Sequence, residues 1–246
     1  MKIMKKFIAL ILASILTLTF TACGGLFDGG GSSSGSGSKN SPADAYQKYI
    51  DMKSKAYDRI SEQISNHEEL AFSVGLALLP IVMVDLTLIP LTIIGTEGGA
   101  MALAFLGMEG VNIDQKGDVY TITYSSNGES MTQTCEYDKS SDSMKSVISG
   151  GSGALESMSF EYVQSGAGYA SQYVTLNDEG GDYTLIKMYF NEDGDVAIGI
   201  ETVSGKPDSI FKKSGLTSDF VINNTSYFLL KGSELTIFSD GETKIY

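Results

Sequence analysis

Tyr120-Thr121-Ile122-Thr123-Tyr124-Ser125-Ser126-Asn127-Gly128-Glu129-Ser130-Met131 is the stretch on which the fold turns. Its first half alternates large apolar or aromatic residues with small polar ones, and Asn127-Gly128 then reverses the chain. Side chains on a strand point alternately to opposite faces, so this period of two marks a half-buried strand. Asn-Gly suits a tight hairpin because both residues tolerate positive φ. The same grammar runs to the C-terminus. Met131, Cys135 and Tyr137 share a parity, as do Met158, Phe160 and Tyr162, and Val196, Ile198 and Ile200. Turn residues recur at Asp138 to Asp142, Asn177 to Asp182, Asp193-Gly194 and Asp240-Gly241. The spacing predicts about ten or eleven strands over residues 108–246, joined mostly by short links, which is an antiparallel meander.

An apolar sheet face needs a cover, and the preceding residues provide one. Ser41-Pro42-Ala43-Asp44 is a helix start: Ser41 caps, Pro42 fits the first helical position, and Asp44 places negative charge in the first turn. Tyr46, Tyr49, Ile50, Ala56, Tyr57, Ile60 and Ile64 then fall on one face. Lys48, Lys53, Lys55, Asp58 and Glu62 mostly take the other, so a helix is expected over 42–69. Residues 70–107 are apolar on all sides. Leu70 to Ile94 holds a single charge, Asp85, and two prolines, Pro80 and Pro90; Gly95 to Gly99 interrupts, and Ala100 to Leu106 is apolar again.

Three readings fit this segment: a transmembrane helix, a buried core of two or three short helices kinked at the prolines, or a lid lining an apolar cavity. A membrane span must place Asp85 near the bilayer centre, at a cost of about 2.5–3.5 kcal/mol. Its positive flank, Lys48 to Arg59, also precedes the segment, which sets its topology against an export signal. The expected fold class is therefore α+β: N-terminal helices (41–107) packed against a large curved, half-barrel-like meander (108–246), forming one domain.

The first 22 residues read as an export signal. Lys2, Lys5 and Lys6 make a positive start, Phe7 to Phe20 carries no charge, and small Thr21 and Ala22 precede Cys23. The apolar run is about 14 residues, short of the roughly 20 that span hydrocarbon. Phe20-Thr21-Ala22-Cys23 resembles the lipobox of bacterial lipoproteins, with Phe20 where that family prefers Leu. The resemblance implies cleavage before Cys23 and acylation of Cys23 with chains of the palmitate type. Residues 23–40 then form a Gly/Ser tether with almost no apolar content. The implied address is the extracytoplasmic face of the cell membrane, or the outer membrane in an envelope with two.

Composition narrows the function further. The signal holds three of the 17 basic residues and none of the 30 acidic ones, so the remaining 224 residues carry −16. Such a chain is repelled by nucleic acid and by anionic lipid, leaving the lipid anchor as the membrane contact. With Cys23 acylated, Cys135 has no disulfide partner and reads as a small core residue. The single histidine, His67, supports no multi-histidine metal centre. No serine sits in a nucleophile elbow, and Gly151-Ser152-Gly153 reads as a loop. Asn191-Glu192-Asp193-Gly194-Asp195 begins like a calcium loop, but Val196 stands where the glycine belongs and Thr202 where the glutamate belongs. No metal, cofactor or catalytic residue is assigned, leaving a Glu/Asp glycosidase pair as the open enzymatic reading.

The tether, the apolar helices and the many hairpins together are similar to the pattern of the LolA and mycobacterial LppX-type lipoprotein carriers. That resemblance implies an unclosed barrel enclosing helices and an apolar cavity. The expected function is a membrane-anchored, non-enzymatic, extracytoplasmic protein that binds or carries an apolar ligand such as a lipid, with ligand residues unassigned. The alternative is an envelope scaffold presenting an acidic sheet surface to a protein or glycan. Ten of the 13 tyrosines follow Met108 and suit either reading.

Overall fold

The computed structural model describes residues 41–65, 67, 70–94, 103–104, 107–126, 128–150, 157–177, 181–223 and 226–246. The signal, Cys23, the tether and the Gly151-Ser152-Gly153 loop lie outside the described residues. Helix α1 spans Pro42–Ser65, α2 spans Ala71–Thr87, and a short 3₁₀ helix, η1, spans Ile89–Ile93. Eleven strands follow: β1 Met108–Lys116, β2 Val119–Ser126, β3 Glu129–Asp138, β4 Ser143–Gly150, β5 Ser157–Ser165, β6 Gly168–Leu176, β7 Asp182–Asn191, β8 Val196–Ser204, β9 Ser226–Lys231, β10 Glu234–Ser239 and β11 Glu242–Ile245. A single turn of helix, α3 (Asp219–Ile222), lies between β8 and β9.

The strands form one antiparallel sheet in sequence order from β1 to β11, and the sheet is not closed. Hairpins set its register. Asp240 (φ 55°) and Gly241 (φ 81°) give the last one its two left-handed residues. The β1 edge carries a register shift between Glu109 and Asn112, with Gly110 at φ 62°. Such an irregularity makes an edge a poor template for further pairing.

The sheet's inner face carries the expected parity sets. Ile122, Tyr124, Met131, Cys135, Met144, Met158, Phe160, Tyr162, Tyr173, Met188, Val196 and Ile198 are all buried in one cluster with α1, α2 and η1. Helix α1 is capped reciprocally: Ser41 Oγ accepts the Asp44 N–H at 3.1 Å, and Asp44 Oδ2 accepts the Ser41 N–H at 3.2 Å. It runs across one end of the strands. At its far end Arg59 donates to the Gly232 carbonyl at 2.7 Å and Gln63 to the Ser233 carbonyl at 2.7 Å, both at the β9–β10 hairpin.

Three expectations are corrected. The first helix ends at Ser65, not at 69; a turn follows, with the Leu70 N–H bonded to the His67 carbonyl at 2.9 Å. Pro80 does not divide α2: it lies on the exposed side, where water hydrates a carbonyl that loses its helical donor. Lys53 belongs to the buried stripe of α1, not to its polar side. Most links between strands are short, and residues 205–223 form a strap over the outer face. There Ile210 packs with Val163 and Ala170, with Leu216 and Phe220 alongside. Among the described residues no helix is long and apolar enough to cross a membrane.

Candidate functional site

A cluster of ionisable and hydroxyl groups is built where α1, α2 and β6 meet. Tyr46, Tyr49, Lys53, Tyr57 and Ile60 form the inner stripe of α1. Lys53 is 3% exposed and Asp85 of α2 is 21% exposed, and their charged groups meet at 2.5 Å. Lys53 Nζ also donates to the Tyr173 hydroxyl at 2.6 Å, which in turn donates to Asp85 Oδ1 at 3.0 Å. The rings of Tyr49, Tyr57 and Tyr173 surround the ammonium, with centroids at 5.9, 5.6 and 5.1 Å. Tyr49 donates to Ser171 Oγ at 2.9 Å and lies 3.2 Å from the Tyr173 hydroxyl. Tyr57's hydroxyl is buried with no hydrogen-bond partner among the described residues.

Burial governs the protonation here. Removal from water lowers the Lys53 ammonium below its ordinary range, and the Asp85 carboxylate pulls the other way. Burial first, and the Asp85 charge second, raise the hydroxyls of Tyr49, Tyr57 and Tyr173. At 3% exposure the amine is out of reach of a substrate in solution. The arrangement ties α2 to α1 and to the sheet.

A second group lies where α1 begins. Asp142, in the β3–β4 hairpin, accepts from the Tyr169 hydroxyl at 3.0 Å and from the Tyr137 hydroxyl at 3.3 Å. Burial, with Asp142 beside it, raises Tyr137 to about 12. Tyr49 stacks on Tyr162 at 4.8 Å, and Phe160, Tyr169 and Phe190 close round them. The hydroxyl of Tyr162 and Oε1 of Gln133, both buried on the inner face, have no hydrogen-bond partner among the described residues.

The residues singled out from sequence fall as follows. Cys135 is a buried inner-face residue of β3, and burial raises its thiol well above the ordinary range. His67 is half-buried, its ring 5.3 Å from that of Tyr246. Asn191 to Asp195 is a hairpin tip in which Asn191 Oδ1 accepts the Asp195 N–H at 2.9 Å. Among the described residues no group of acidic, histidine or cysteine side chains could hold a metal. Sequence reasoning missed the Lys53–Asp85 pair, although each residue is the one charge on an otherwise apolar helical stripe. It also missed the solvent side of α2, where Leu79, Met83 and Leu86 stand 43%, 58% and 41% exposed.

No protein-family model matches this chain, and neither a curated protein nor a solved structure is similar to it.

Proposed function

We propose that the chain is a lipid-anchored, extracytoplasmic, non-enzymatic protein that holds an apolar ligand such as a lipid between its helical cover and the inner face of a half-barrel-like sheet. One observation carries the reading: an open eleven-strand meander has its apolar face covered by α2 and η1, whose only charge is turned inward onto Lys53. An unclosed sheet leaves such a cover room to move without breaking strand pairs. The buried hydroxyls of Tyr57 and Tyr162 and Oε1 of Gln133, each without a hydrogen-bond partner among the described residues, give a ligand's polar end something to meet. The address rests on the signal and on Cys23, and the likeness in pattern to lipoprotein carriers agrees with it.

Mass spectrometry of the protein purified from native membranes tests the reading. A lipid or other apolar compound is expected at near-stoichiometric amounts. Its absence, together with an inner face filled by side chains alone, would end the carrier function. One feature favours the second reading, a scaffold presenting its surface to a glycan or protein: Tyr227 and Phe238 stack at 5.2 Å, half-buried, on the outer face of β9 and β10.

A further inference from the structure

Helix α2 is apolar on both its sides. Val74, Leu78, Ile81 and Val82 are buried. Leu79, Met83 and Leu86, spaced i, i+4 and i+7, form one stripe facing solvent, with Pro80 exposed beside it. No lysine, arginine or glutamate occurs in the helix, and its single aspartate is drawn inward to Lys53 and Tyr173. The outward stripe therefore carries no charge of its own, on a protein whose formal charge is −13. Amphipathic surface helices put charge at this position, and a helix that does not do so has something apolar to meet.

From this we infer that the Leu79–Met83–Leu86 face of α2 rests on the lipid surface to which the chain is anchored. The inference rests on the anchor at Cys23 proposed above. Cys23 lies 18 residues before Ser41. A Gly/Ser-rich chain of that length has a root-mean-square span of roughly 20–25 Å. From Ser41 to Lys53 is twelve residues of α1, about 18 Å at 1.5 Å per residue. Lys53 touches Asp85, the neighbour of Leu86. The tether is thus long enough for the stripe to reach the bilayer, and the anchor keeps the two at high effective concentration. An acidic protein meets a zwitterionic surface more readily than an anionic one, so the lipid that fits is of the phosphatidylcholine type. A carrier docked in this way would open its cover against the membrane, not into water.

The test uses the full chain, purified from membranes and reconstituted into phosphatidylcholine vesicles that contain a nitroxide-bearing phosphatidylcholine. Met83→Cys and, separately, Glu242→Cys on β11 are labelled with a polarity-sensitive fluorophore; buried Cys135 does not compete for the label. The vesicle-bound Met83→Cys probe should be quenched several-fold more than the Glu242→Cys probe. Adding Leu79→Ser and Leu86→Ser should remove most of that difference and leave the circular dichroism spectrum unchanged. Equal quenching at the two positions overturns the docking and leaves the anchor standing. Self-quenching between probes at 83 without quenching by lipid would assign the face to a second copy and also overturn it. Position-83 quenching in a chain with an unmodified Cys23 thiol would overturn the anchor alone. A chain that does not float with the vesicles overturns both.

Discussion

Lys53 and Asp85 are 32 residues apart in the chain, on different helices, and their side chains meet at 2.5 Å beside the Tyr173 hydroxyl. Breaking such a pair from one side leaves a charge buried without a partner, which costs about 3–5 kcal/mol. Replacing both members with apolar residues of similar size is often neutral, or stabilising by about 1–4 kcal/mol. Asp85→Ala is therefore expected to lower the urea midpoint sharply, and Lys53→Met combined with Asp85→Leu to restore it or exceed it. A double variant as unstable as Asp85→Ala alone would mean that the loss comes from packing and not from stranded charge.

Glu161 holds the outer strap as Asp85 holds α2. Its carboxylate accepts from Ser209 Oγ at 2.8 Å, the Ile210 N–H at 2.7 Å and Gln172 Nε2 at 3.1 Å, with Lys145 Nζ at 3.3 Å. Hydrogen bonds to a charged group contribute about 1.5–3 kcal/mol each when measured by deletion. Glu161→Ala should loosen the strap and speed tryptic cleavage after Lys212 and Lys213, while the sheet keeps its spectrum. Unchanged cleavage at these two lysines would show that Val163, Ala170 and Ile210 hold the strap without the carboxylate.

Some of this architecture was open to reading and some was not, for physical reasons. Tyr120, Ile122 and Tyr124 alternate strictly, and turn residues such as Asp240-Gly241 permit little else, so the meander is legible from local pattern. Ser41 and Asp44 make α1 legible in the same way. Lys53 was misplaced because a lysine was assigned to the wet side by its type, although it falls in step with Tyr46, Tyr49, Tyr57 and Ile60. Its partner is distant in sequence, and only the charge stranded on each apolar stripe hints at the pairing. The strap has no period to read: Ile210, Leu216 and Phe220 are scattered through a polar link, and the sheet face they cover supplies the order. Both termini of the cover's outer stripe, Leu79 and Leu86, look like ordinary core leucines until the helix is rotated into place.

The buried tyrosines should make the protein fail steeply in alkali. Burial raises Tyr49, Tyr57 and Tyr173 above their ordinary value near 10. Their contribution is complete below that value and is lost as pH climbs toward the folded values, because the unfolded chain ionises first. Each such group steepens the fall by about 1.4 kcal/mol per pH unit, so three give about 4. Lys53, which is lowered, works in the opposite sense, but only below its ordinary value near 10.5. Part of the tyrosinate absorbance is expected to appear only with loss of the sheet signal, in a cooperative step above pH 10. Absorbance that reaches its full amplitude while the sheet signal holds would mean that these hydroxyls reach water in the folded state.

Thiol counting separates the anchor from its alternatives with little material. The chain has two cysteines, and Cys135 is buried with its thiol raised by desolvation, so it should not react with a disulfide reagent while folded. Acylated Cys23 contributes no thiol in any state. Protein purified from its native membrane is therefore expected to titrate no thiol when folded and one when unfolded in guanidinium. An intact signal with an unmodified Cys23 would give one and then two. Cys23→Ala should leave both counts of the acylated protein unchanged and abolish incorporation of labelled palmitate. If the folded protein gives a thiol that Cys23→Ala removes, the sulfur is free and the molecule is held at the membrane by something else.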